Sequence, residues 1–175
     1  MEYNIVIKRL GGFFMRQVKA VKITKENFAP YGSYCEMLQP DGYPLCGEIH
    51  KFYPDRLTGT SVGTIAFSPI TVKKDERIIK AQEYHTTTWE GIVPLDDDMI
   101  IHVAPASAGV PVPELAEAFI VPKGCMVKLN AAIWHLCPLP ANNDELHAII
   151  VLPECIYAND CTVVDLEEKD WFQIV

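Results

Sequence analysis

An all-β barrel or sandwich is the fold class this chain predicts. About ten short apolar runs, spaced roughly 8–12 residues apart with turn residues between them, set that expectation. No helical period of about 10–15 residues recurs between the runs, which disfavours a parallel α/β sheet. With 175 residues, 49% of them hydrophobic and 22% charged, the composition is that of one globular domain. A chain of that size buries roughly 70% of its unfolded surface.

The elements follow in order. Tyr3 to Leu10 is a short β-like run that Gly11-Gly12 separates from Met15. This divides the chain into an N-terminal extension, 1–14, pairing at a sheet edge or mediating assembly, and a compact domain, 15–175. Val18 to Ile23 reads as strand. Thr24 is an N-cap residue, and Lys25 to Phe28 makes one helical turn before Pro30 and Gly32 stop it. Ser33 to Leu38 alternates like a strand, 39–48 is a Pro/Gly/Asp loop, and Ile49 to Tyr53 is a further short strand. Ser61 to Phe67 and Arg77 to Gln82 are strands around a polar turn, Lys73 to Glu76.

Leu95-Asp96-Asp97-Asp98 is an acidic turn leading into the strand Met99 to Val103. It lacks the glycine and distal glutamate of a calcium loop, so it reads as a solvated hairpin tip. Pro113 to Phe119 makes a helical turn or enters the strand ending at Val121. Pro122-Lys123-Gly124 is a sharp turn. Cys125 to Asn130, Leu146 to Leu152 and Cys161 to Val164 are strands, and Glu167 to Trp171 is a short final helix.

Chemistry concentrates between Glu83 and Pro94. Glu83 and His85 are two apart, so on an extended strand they leave the same face. Glu90 lies five further on, an odd step, and joins them only if the chain turns between Thr86 and Trp89. The pattern is E-x-H-x4-E across two neighbouring strands, with His135 available later. Imidazole with carboxylate is a ligand set for a divalent metal. His102, in an apolar strand, reads as core or rim, Trp89 as packing, and His50 and His147 as ordinary.

Several classes are excluded. A formal charge of −8 opposes binding to a phosphate backbone, and the aromatics are not interleaved with basic residues, so no nucleic-acid partner is expected. No run approaches the roughly 18 apolar residues of a membrane span. Residues 1–14 carry Lys8 and Arg9 without a continuous apolar core, so no secretory leader is expected. Cysteines 35, 46, 125, 137, 155 and 161 form no C-x-x-C pair. They read as reduced, buried small hydrophobes of a cytoplasmic protein.

The E-x-H-x4-E stretch, the later P-x-G turn and a further histidine resemble the two motifs of the cupin superfamily. There the first motif runs H-x-H-x(3,4)-E and the second joins P-x-G to a histidine. His85 and Glu90 match the second His and the Glu, Glu83 stands where the first His falls, and Pro122-Lys123-Gly124 matches the turn. The histidine three after Gly124 is replaced by Val127, leaving His135 as the candidate. Within the cupins the chain resembles the ureidoglycolate lyase (ureidoglycolate hydrolase) family. The likeness rests on residues 18–36, on Glu83-Tyr84-His85 through Val93-Pro94, on Trp134-His135 with Pro138-Leu139, and on the ending Asp160-Cys161-Thr162-Val163. Leu129-Asn130 replaces a family Tyr-His pair, Leu136 a further His, and the Glu90 position is commonly an amide.

That resemblance implies a double-stranded β-helix, or jelly-roll, barrel with one or two short helical turns. It also implies a cytoplasmic homodimer of allantoin degradation, within purine catabolism. The implied enzyme is a carbon–nitrogen lyase releasing urea and glyoxylate from ureidoglycolate, a small anionic substrate. A divalent metal (Zn, Ni, Mn or Fe) would be held by Glu83, His85 and His135, with Glu90 as fourth ligand or base. His135 and Lys128 join Glu90 as catalytic candidates, Lys128 pairing with the substrate carboxylate if it points inward. Two alternatives stand beside it: another metal-dependent cupin enzyme acting on a small sugar or keto acid, and a non-catalytic small-molecule-binding cupin.

Overall fold

The computed structural model describes residues 7–10 and 13–175. Its larger sheet runs in the order Gly32–Glu36, Cys125–Leu129, Glu90–Pro94, Glu145–Pro153, Ile65–Lys73, every pairing antiparallel. A second sheet runs Leu139–Pro140, Met99–Val103, Glu117–Val121, Ala20–Lys22, the last pairing parallel. Ile92, Val127, Ala148 and Ile150 from the first sheet and Met99, Ile101, Val103, Phe119 and Val121 from the second form one buried cluster. Burying a large apolar side chain of this kind contributes about 1.5–3 kcal/mol.

Met99–Val103 is buried along its whole length, because both of its faces are covered. Met99, Ile101 and Val103 enter the first cluster, whereas Ile100 and Ala104 enter a second with Val18, Ile79, Trp134, Phe172 and Ile174. The covering layer there is a third sheet, Ile7–Leu10, Phe13–Val18, Phe172–Ile174 and Ile78–Ile79. Two chain ends therefore close one side of the domain. Of the expected extension, residues 1–6 and 11–12 lie outside the described residues. Ile7–Leu10 pairs back on Phe13–Val18.

The turn Lys25–Phe28 forms as expected. Thr24 Oγ1 accepts from Asn27 N at 3.1 Å while Thr24 N donates to Asn27 Oδ1 at 2.7 Å, a reciprocal cap. It delivers Phe28, fully buried, edge-on to Phe119 at 5.4 Å. Gly32 lets two strands close: a Cβ there would sit 1.9 Å from the Lys128 carbonyl oxygen. Gly124, at φ +83°, supplies the left-handed residue of the Pro122-Lys123-Gly124 turn.

Some expectations need correction. The strand expected to end at Phe67 continues to Lys73 through Pro69. It is an edge strand, where a missing N–H costs little. The Arg77–Gln82 run splits at Lys80 into Ile78–Ile79 and Ala81–Tyr84, which join different sheets. The helix Ile156–Asn159 and the strand Phe172–Ile174 are additions. The acidic turn is solvated only at Leu95 and Asp96. Asp97 is buried and accepts from Asn142 N, Asn142 Nδ2 and Asn143 N, each at 2.9 Å. Asp96 accepts from His147 and Asp98 from Lys123 N, so the run ties three segments together. His147 is thereby partnered rather than ordinary. Of the cysteines, all free thiols, Cys35 and Cys125 are buried but Cys46 and Cys155 are exposed.

Candidate metal centre

Three segments bring the site together. Ala81–Tyr84 carries Glu83, and the chain beyond it pairs with residues 132–135. Glu83 N donates to His135 O at 2.7 Å, His135 N to Glu83 O at 2.9 Å, and Ala132 N to His85 O at 2.6 Å. Directly opposite residues of an antiparallel pair present their side chains on one face, so Glu83 and His135 are neighbours. The chain then reverses over Thr86–Trp89, as the odd spacing requires, and returns as Glu90–Pro94. Glu90 stands opposite Leu129 and Ile92 opposite Val127, and this face points into the first buried cluster.

Glu90 Oε2 lies 2.8 Å from His135 Nε2 and 3.1 Å from His85 Nε2. Glu83 Oε1 is 3.9 Å from His135 Nε2. One ligand atom each of Glu83, His85 and His135 fall within 4.8 Å of one another. Both rings are fixed from behind: His85 Nδ1–H donates to Asp160 O at 2.7 Å and His135 Nδ1–H to Ile133 O at 2.8 Å.

The electrostatics follow from burial and this geometry. Burial opposes ionisation of Glu90. The charge of His135 and hydrogen bonds from both rings overcome it and hold the carboxyl at about 2. Burial likewise pulls both histidines down, but Glu90 more than reverses this and raises them above their ordinary 6.5.

The donor set fits a divalent cation. With each Nδ1–H committed to a carbonyl, a neutral ring aims its Nε2 lone pair at the anionic Glu90. Positive charge is needed between them, as a proton on each ring or as a metal ion. Two imidazole nitrogens with carboxylate oxygens suit zinc or another first-row divalent ion. The carbonyl bonds behind the rings are the outer-shell support such ligands carry.

Lys128 does not join the site. It alternates with Leu129 and Val127 and so leaves the other face of its strand, where Nζ donates to Thr58 O at 2.5 Å. His102 is core: it is buried on the second cluster's side, ring-to-ring with Phe172 at 5.6 Å. Trp89 packs over Gly59 and donates Nε1–H to Thr60 O at 3.0 Å.

Asp160 and Cys161 are site residues that sequence reasoning did not single out, although both fall in the C-terminal stretch that carried part of the family resemblance. Cys161 Sγ donates to Glu83 Oε2 at 3.4 Å.

The two largely antiparallel sheets packed over one buried cluster, with carboxylates and imidazoles turned inward, give the jelly-roll β fold the sequence leads one to expect. A dTDP sugar isomerase of Desulfovibrio desulfuricans superposes with TM-score 0.51 at 10% identity, covering 81% of this chain and 89% of that one. An oxalate decarboxylase of Bacillus subtilis gives TM-score 0.42 at 20% identity, over 59% of this chain and 24% of that one. The family model for ureidoglycolate lyase matches residues 15–173, and the chain belongs to that family. A ureidoglycolate lyase of Pseudomonas aeruginosa is 25% identical over 126 residues, 69% of this chain and 75% of that protein.

Proposed function

We propose that this protein is a carbon–nitrogen lyase that cleaves ureidoglycolate, or a close analogue, into urea and glyoxylate. The observation that carries the reading is the convergence of His85 Nε2 and His135 Nε2 on Glu90 beside Glu83, in a chain of the ureidoglycolate lyase family. His85, His135, Glu83 and Glu90 would hold the divalent ion. When bound, that ion polarises the substrate hydroxyl and fixes its carboxylate.

The chain's own groups then divide the work. Glu90, buried and bonded to both imidazoles, serves as ligand and ring anchor. Glu83, whose side chain is 15% exposed against 6% for Glu90, faces the open side. Its Oε2, the oxygen turned away from His135 and keeping a lone pair beside the Cys161 thiol bond, takes the hydroxyl proton. The O–H electrons become the new carbonyl bond, the C–N pair leaves on the urea nitrogen, and Glu83 returns the proton there. His85 and His135 keep the acceptor in place.

In this reading the enzyme works in the cytoplasm on a small anion, as a homodimer. The exposed apolar side chains of Leu38, Tyr43, Leu45, Ile49 and Phe52 supply a surface for a second copy. Urea and glyoxylate should appear when metal-loaded protein meets ureidoglycolate, and His85→Ala should abolish them. Absence of turnover by the loaded wild type would overturn the substrate.

A second reading has one observation in its favour. Leu129, fully buried, stands directly opposite Glu90 and makes that wall apolar. A metal-dependent cupin acting on a small sugar or keto acid would fit it, and a substrate panel separates the two. A non-catalytic binding cupin predicts no turnover of any panel member.

A further inference from the structure

The reversal that separates His85 from Glu90 is Thr86-Thr87-Thr88-Trp89. It contains no Gly, Pro, Asn or Asp, the residues whose own chemistry builds a turn. β-Branched threonines favour extended chain and their hydroxyls build turns only weakly, so this bend draws on a partner elsewhere.

Asp160 imposes it. Its Oδ1 accepts from Thr86 N at 2.8 Å and Thr86 Oγ1 at 2.5 Å. Its Oδ2 accepts from Thr87 N at 2.7 Å and Thr87 Oγ1 at 2.5 Å. The same residue's backbone oxygen takes the His85 Nδ1–H at 2.7 Å. The next residue, Cys161, donates its thiol to Glu83 Oε2 at 3.4 Å, while Glu83 Oε1 faces His135.

Strand pairing explains the reach. Thr162 pairs with Tyr84 and Val163 with Glu83. Each paired position sums to 246, so the same register continued puts Cys161 opposite His85 and Asp160 opposite Thr86. Two adjacent residues thus hold two of the three convergent ligands, and one also builds the turn that brings in Glu90.

We propose that Asp160 and Cys161 are positioning residues of the metal centre. They form a clasp that sets the His85 ring and leaves one Glu83 oxygen, Oε1, directed at the cation. This rests on the metal reading given above. Asp160 acts through the turn and through its carbonyl. Cys161 acts as a hydrogen-bond donor, so a hydroxyl at that position should replace it.

The test compares wild type with Cys161→Ala, Cys161→Ser and Asp160→Ala. It measures Zn2+ and Mn2+ affinity by chelator competition, and the exchangeable His85 Nδ1–H resonance in metal-free protein. Loss of outer-shell partners weakens metal binding by roughly 10–100-fold. Cys161→Ala should fall in that range, with Cys161→Ser returning to within about threefold of wild type. Asp160→Ala should lose the protected Nδ1–H signal along with affinity. Should Asp160→Ala not fold, the cysteine pair carries the test alone. Wild-type affinity in both Cys161→Ala and Asp160→Ala overturns the clasp. If the wild type itself takes up neither ion, the metal reading falls. The clasp is then decided by the resonance: its survival in Asp160→Ala overturns it, its loss supports it.

Discussion

Glu90 and His135, 45 positions apart in sequence, meet at 2.8 Å in the buried interior. Neither is stable there alone. An unpaired buried carboxylate costs several kcal/mol, and the imidazole is turned by its Ile133 bond so that Nε2 faces the acid.

Replacing Glu90 by Gln should therefore destabilise metal-free protein in a pH-dependent way. Glu90 raises both histidines above 6.5. The stability this adds is fully present below that value and is lost as pH rises through the raised values. Chemical denaturation should show a Glu90→Gln penalty of a few kcal/mol at pH 5 that shrinks towards pH 9. An equal penalty at both would contradict the pairing.

Metal affinity should run the other way. A cation displaces the protons that the raised His85 and His135 retain. Affinity should rise steadily with pH above 6.5 and flatten once both rings are neutral. Calorimetry in buffers of different ionisation enthalpy would count the protons released; release of none would be inconsistent with the site.

Lys128→Ala should leave metal affinity unchanged and turnover within about twofold, since Nζ is bonded to Thr58 O behind the sheet. Its cost in stability should be about 1 kcal/mol. A hundredfold fall in kcat would return Lys128 to the site.

His102 has both ring nitrogens buried with no hydrogen-bond partner among the described residues, and burial lowers its pKa to about 3. The unfolded chain therefore binds a proton near 6.5 that the fold refuses, and stability falls as pH drops from 6.5 towards 3. His102→Leu, close in volume, should flatten the melting temperature between pH 7 and 4. An unchanged acid slope would show that His102 is not its source.

Much of this was legible in the sequence because it is local. Glu83 and His85 share a face through the period of an extended strand, and Glu90 joins them only by the bend its odd spacing demands. Thr24 announces its own helical turn. What was not legible depends on long-range register. Asp160 and Cys161 reach the site because Thr162–Asp165 pairs with Ala81–Tyr84, a pairing no local pattern reports. Lys128 was misplaced for a related reason: which way an alternating strand faces is decided by its partners, here Glu90 opposite Leu129. The Asp96–Asp98 run looked solvated because carboxylates usually are. Asp97 is buried because Asn142 and Asn143 satisfy it.

The most direct test is the metal content of purified, reconstituted protein, wild type against His85→Ala and His135→Ala. One tightly held divalent ion per chain in the wild type, lost in each variant while the fold persists, is the predicted result. An ion retained by both variants, or none taken up by the wild type, would contradict a metal centre at Glu83, His85, Glu90 and His135.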